Sequence, residues 1–230
     1  MRTIVFDTGP IISLTVTNLL GLLTSLKDKY RGEFLITESI RRELIERPLE
    51  TRKFKFEALQ VLRCIGADVL SVYQSAELRS LTIKLLELSN KSFYAKGNPI
   101  QIAHYAEMSG LAAAIITNAD AFVVDERNTR LILEDPGRLG EILCHKLHTE
   151  VKSNKQNIES LRRMTKAVKL IRSIELVSVS YELGLLDKYL VNIPNARKNL
   201  LDAVLWAVKL NGCSITEKEI EEIIKIETRS

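Results

Sequence analysis

The chain has 230 residues, 46% hydrophobic and 27% charged, with a formal net charge of +4. Those are globular values; the length suits one domain, or one domain with an appended piece, and allows a core that needs no covalent staples. So mild a positive balance is common in proteins with no polyanion partner, so charge alone lends little support to nucleic-acid binding.

In chain order, Thr3 to Phe6 reads as a short strand buried on both faces, ending on Asp7. Gly9-Pro10 breaks it, and a helix follows with Leu14, Leu19, Leu22, Leu23 and Leu26 apolar. The stretch Ile11 to Leu26 is studded with Ser, Thr, Asn and Gly and ends in Lys27-Asp28-Lys29, which fits a buried helix and not a membrane span. A second strand, Phe34-Leu35-Ile36, leads through Thr37 as N-cap into a helix that Pro48 should stop. Lys55 to Cys64 reads as helix, "GADVLSV" as a third strand, and Ala76 to Leu88 as helix again. Pro99 suits a helical first turn, so a helix is expected from there towards Ala114. "DAFVVDERNTRLIL" is then strand, turn and helix, its strand again ending on an acid, Asp125.

Strands alternating with helices predict an α/β fold: a three-layer α/β/α sandwich on a central parallel sheet. Beyond about Glu141 the pattern turns polar, basic and helical, so residues 141–230 are expected as a mostly helical C-terminal extension to a domain over 1–140, either packed on the same core or appended to it. "SIELVSVSYELGLLDKYL" fits strand then helix, or helix throughout. Thr216 and Glu219 form a Thr-x-x-Glu capping box near the end.

Three cysteines, Cys64, Cys144 and Cys213, lie far apart with no CxxC pair, so neither a zinc site nor a disulfide framework is suggested. Scattered thiols and an N-terminus without a signal peptide's layout point to the cytoplasm. His145 and His148 stand three apart without companion ligands.

Four acids fall where the pattern places the interior or the crevice beyond the strand ends, where open α/β sheets bind ligands. They are Asp7, Glu43, Glu107 and Asp125. Glu43 borders the apolar stripe of its helix, and Glu107 shares a face with Ile100, Ala103, Leu111 and Ala114. Each alone is equally a turn former, a cap or a solvated residue. Together they could share a divalent cation, since hard carboxylate oxygens suit Mg²⁺ or Mn²⁺ and isolated buried charge is costly.

"IVFDTGPIISL" resembles the first motif of PIN domains, an Asp after the first strand followed by Ser or Thr. "LITESIRREL" looks like their second motif, and "AEMSGLAAAIITNADAFVVDERNTR" is similar to the third and fourth motifs of a prokaryotic or archaeal subgroup. The resemblance covers roughly residues 1–135. It implies a PIN-like, FLAP-type nuclease that uses Mg²⁺ or Mn²⁺ to cleave single-stranded or structured RNA, with Asp7, Glu43, Glu107 and Asp125 as ligands. Thr8 would position a water or a ligand, or act as a turn hydroxyl; Glu126 reads as a helix-start residue. The chain departs from the subgroup's Gly-Glu-x-Glu helix, having Ala106-Glu107-Met108-Ser109, so Ser109 stands where a second acid is usual.

For phosphate contacts, Arg127 and Arg130 lie nearest the acids in sequence. Arg162, Arg163, Lys166, Lys169 and Arg172 are spaced along one side of an expected helix, opposite Ile158, Leu161, Val168 and Ile171; a solvated helix face reads the same way. RNA is the expected partner. A second copy of this chain, through the apolar C-terminal helices, and an antitoxin protein, were the chain a toxin, stay open. Two other function classes stand beside the enzyme: a non-catalytic nucleic-acid-binding module with a degenerate PIN site, and an oligomeric interaction protein.

Overall fold

A computed structural model describes residues 2–228. Strand β1 (Thr3–Phe6) runs through the middle of a five-stranded sheet ordered β3-β2-β1-β6-β8. Its partners are β2 (Glu33–Thr37), β3 (Ser71–Tyr73), β6 (Ala121–Val123) and β8 (Leu170–Ile171), and every pairing is parallel. The period-2 alternation of strand side chains sorts this sheet into two cores. Ile4, Phe6, Phe34, Ile36 and Val123 face one; Val5, Leu35, Phe122 and Val124 face the other.

The first face is covered by α1 (Thr8–Val16), α2 (Leu22–Tyr30), α3 (Glu38–Arg41), α4 (Arg47–Glu50) and α5 (Lys55–Gly66). The second is covered by α6 (Leu78–Asn90), α7 (Tyr105–Ile116), α8 (Arg127–Glu134), α9 (Pro136–Leu147) and α10 (Lys155–Thr165). Then α11 (Ser173–Glu182), α12 (Ala196–Leu210) and α13 (Glu217–Glu227) return to the first face. This is the expected three-layer α/β/α arrangement. Among the described residues no helix is long and apolar enough to cross a membrane.

Several boundaries differ from the expectations. The first helix is two, because Asn18 takes a left-handed conformation (φ 59°) between α1 and α2. Pro48 does not stop the second helical stretch: a π-helical turn, Arg42–Glu46, joins α3 to α4 without a break, and Pro48 lies within that continuous run. The helix expected from Pro99 begins only at Tyr105. Asn98–Pro99 is instead strand β5, which pairs antiparallel with β4 (Phe93–Ala95) across a turn at Lys96-Gly97; β7 (Val151–Ser153) completes this small sheet. Proline is tolerated there because an edge strand leaves N–H positions unpaired.

The long basic helix expected after residue 145 is likewise broken. It resolves into β7, α10 and β8, so that the region after residue 140 supplies the fifth strand of the central sheet. "SIELVSVSYE" is helical throughout, as α11.

Candidate functional site

Parallel strands deliver their C-terminal ends to one side of the sheet, and there Asp7 and Asp125 emerge one and two residues past β1 and β6. Asp7, Thr8, Gly9, Glu43, His104, Ala106, Glu107, Asp125, Glu126 and Gly212 line one cavity of about 220 Å³. The four predicted acids thus come together from four separate segments.

Asp7 is 4% exposed, and its Oδ1 has no hydrogen-bond partner. Burial, reinforced by the negative charge of Glu107, lifts its pKa from 3.8 to about 8, against the pull of the Thr8 and Gly9 amides. Glu43 lies in the π turn, which swings it towards α1: its Oε2 accepts a hydrogen bond from Thr8 Oγ1 at 2.8 Å, and Arg47 stands 3.6 Å from its Oε1. Glu107 occupies the first turn of α7, where its Oε2 accepts the Thr129 hydroxyl at 2.6 Å and the His104 amide at 3.4 Å. Burial raises its pKa, while Thr129 lowers it. Two small residues set this placement. Gly110 lets α7 lie against the sheet, since a Cβ there would fall 2.7 Å from the Phe122 ring. Gly212, with φ 118°, carries the chain past the cavity in a left-handed conformation that a side chain would strain.

Asp125 is engaged differently. Its Oδ1 accepts the Ser173 amide at 2.8 Å, and its Oδ2 accepts the Ser173 hydroxyl at 2.7 Å and the Ser13 hydroxyl at 3.5 Å. It therefore holds the start of α11 against the sheet as well as facing the cavity. Burial raises its pKa, and the two Ser173 bonds pull it back. Cys213, packed beside it, is pushed up to about 12 by burial.

The remaining predicted residues divide. Thr8 orients Glu43, and Glu126 caps α8 by accepting the Asn128 amide while its side chain lines the cavity. Ser109 is buried on α7 and does not line the cavity, so it contributes no donor there. Arg127 and Arg130 line an adjoining recess of about 310 Å³. Arg162, Arg163 and Lys166 line a recess beside Leu133 and Leu170. That recess and Lys169 lie where the chain leads into β8, at the end of the sheet opposite the acids: Lys169 O accepts the Phe122 amide near the β6 N-terminus. The strands of a parallel sheet share one direction, so a segment leading into β8 cannot also reach the strand-end crevice. Arg172 does not join that stripe. Its side chain is 12% exposed and is paired with Glu175 and Glu219.

Sequence reasoning missed His104, Ser13, Ser173 and Gly212. His104 was placed inside a helix by the early boundary; as the N-cap of α7 it stands at the cavity rim. No local signal pointed to Ser173 or Gly212, which reach the site only through tertiary packing.

The donor set is chemically suited to a hard divalent cation: carboxylate oxygens, one of them buried and unpartnered. As placed, however, no group of three or more His, Cys, Asp or Glu among the described residues is arranged to hold a metal ion. Comparison with protein-family models, with curated proteins and with solved structures found no match to this chain.

Proposed function

We propose that the chain is a metal-dependent ribonuclease of PIN type, with Mg²⁺ or Mn²⁺ held by Asp7, Glu43 and Glu107 and by Asp125, directly or through water. One observation carries the reading: Asp7, buried with an unpartnered oxygen and a pKa lifted to about 8, sits among four further carboxylates, Glu43, Glu107, Asp125 and Glu126, in one small cavity. A carboxylate cluster of this kind is unfavourable until positive charge neutralises it. When bound, the cation supplies the charge that activates a water and stabilises the attacked phosphate. Asp7 offers its free oxygen, Thr8 holds Glu43, and Thr129 holds Glu107. Glu43 and Glu107, both only partly buried, are the side chains with freedom to turn inward onto the ion.

Incubation of mixed single-stranded RNAs with Mn²⁺ tests this. Cleavage by the wild type, lost in EDTA and in Asp7→Asn, is the expected result. RNA retention without cleavage by either form sinks the enzyme.

A second reading, a nucleic-acid-binding module without catalysis, has its own support. Both Asp125 oxygens are taken by Ser173, and Ser109 leaves the third motif one acid short. The same assay separates the two.

A further inference from the structure

A further recess lies on each side of the acid cavity. On one, it shares Glu43, His104 and Ala106 with a wider recess of about 560 Å³ that Arg42, Arg47 and Tyr105 also line. On the other, the residues next in sequence to its lining, Arg127 after Glu126 and Cys213 after Gly212, line the separate recess of about 310 Å³. The acids therefore lie between two recesses.

Two features of these recesses have no structural task. Tyr105, the first residue of α7, is 43% exposed, and its side chain makes no hydrogen bond or ring contact among the described residues. Arg127 and Arg138, both exposed, make no ion pair or side-chain hydrogen bond among the described residues. Their neighbours are occupied: Arg130 pairs with Glu134, and Arg172 with Glu175 and Glu219. An exposed aromatic ring on one side of the acids and two uncommitted guanidinium groups on the other are complementary to a base and to backbone phosphates respectively.

We propose that the two recesses and the acid cavity between them form the track of a single nucleic-acid strand, with a base stacked on Tyr105 and phosphates held by Arg127 and Arg138 across the acid cavity. The proposal rests on the nuclease reading for the chemistry at the acids, and adds how the strand is gripped. The acids repel phosphate, so attraction has to come from either side of them. A single strand can turn a base onto the ring, whereas a duplex keeps its bases stacked inside.

The test measures fluorescence anisotropy of labelled 12-mers of rU and dT, and of a duplex of the same length, in EDTA so that no cleavage intervenes. The wild type is expected to bind the single strands more tightly than the duplex. Tyr105→Ala should weaken single-strand binding about fivefold or more, with Tyr105→Phe restoring it and an oligomer lacking bases indifferent to the change. The Arg127→Ala/Arg138→Ala double variant should weaken binding and reduce the salt dependence by roughly two phosphate contacts. Tighter binding of rU than dT makes RNA the strand held; the reverse makes it DNA. Single-strand affinity unchanged in Tyr105→Ala, duplex preference, or no binding at all overturns the track. Cleavage with Mn²⁺ is scored separately: variants that lose binding in a protein that never cleaves support the track and sink the nuclease, while cleavage indifferent to these variants does the opposite.

Discussion

At the scale of single residues, Asp7 concentrates the energetic cost of the site. It is buried, one oxygen lacks a partner, and its pKa is displaced from 3.8 to about 8. The sign of the resulting pH dependence follows from linkage. The folded state holds this proton more tightly than the unfolded chain, so the cost is absent below pH 4, grows as pH rises, and is complete above pH 8. Asp7→Asn removes the charge at nearly constant shape. In EDTA the variant should be more stable than the wild type at pH 8, by about 1–3 kcal/mol, and no more stable at pH 4. Urea unfolding at the two pH values checks this. Added Mn²⁺ should raise the thermal midpoint of the wild type and leave that of the variant unmoved. The strand-end position of Asp7 was legible in the sequence because "TIVF" is apolar on both faces. Its missing partner was not, since hydrogen bonding at a buried oxygen depends on every segment that packs around it.

At the scale of elements, α7 decides where Glu107 points. Its true start at Tyr105 puts Glu107 in the first turn, against the His104 amide and Thr129, and leaves Ile100 and Ala103 outside the helix. The expected shared face was thus partly an artefact of the boundary. The β4–β5 hairpin claims Pro99, and that pairing is long-range information absent from a local window. Gly110 gives the element its depth on the sheet. Gly110→Ala drives a methyl to 2.7 Å from Phe122, whose ring is fully buried and has little room to yield. Overpacking of this kind costs about 1–3 kcal/mol, against a gain of roughly 0.5–1 kcal/mol in helix propensity. A net loss of stability is expected in a denaturant melt, with RNA cleavage falling further than stability alone explains as Glu107 is displaced.

At the scale of the whole molecule, the C-terminal half belongs to the site. β8 pairs with β6, Ser173 binds both oxygens of Asp125, and Gly212 lines the acid cavity. Leu201, Leu205 and Val208 of α12 lie in the same buried cluster as Phe6 and Ile36. A chain ended at residue 140 would expose β6 as an edge and leave the buried Asp125 carboxylate without its Ser173 partners. That loss alone amounts to about 1–3 kcal/mol, before the exposed apolar surface is counted. The truncated chain should therefore fail to fold to a stable domain, seen as loss of a cooperative thermal transition. A stable fragment over 1–140 would show the extension to be dispensable.

By itself the sequence determined the cores of four of the five central strands, the layered α/β class and the strand-end positions of Asp7 and Asp125. These follow from side-chain periodicity and strand-end position, which are local properties of the backbone. Only the tertiary structure decided which cations share the acids' end of the sheet, placing Arg127 and Arg130 beside them and Lys169 at the far end. It alone decided that Asp125 is spoken for by Ser173, forty-eight residues further along the chain. The physical reason is the same in both cases: a parallel sheet fixes direction through pairings between distant strands, and a buried carboxylate is satisfied by whatever the fold brings to it.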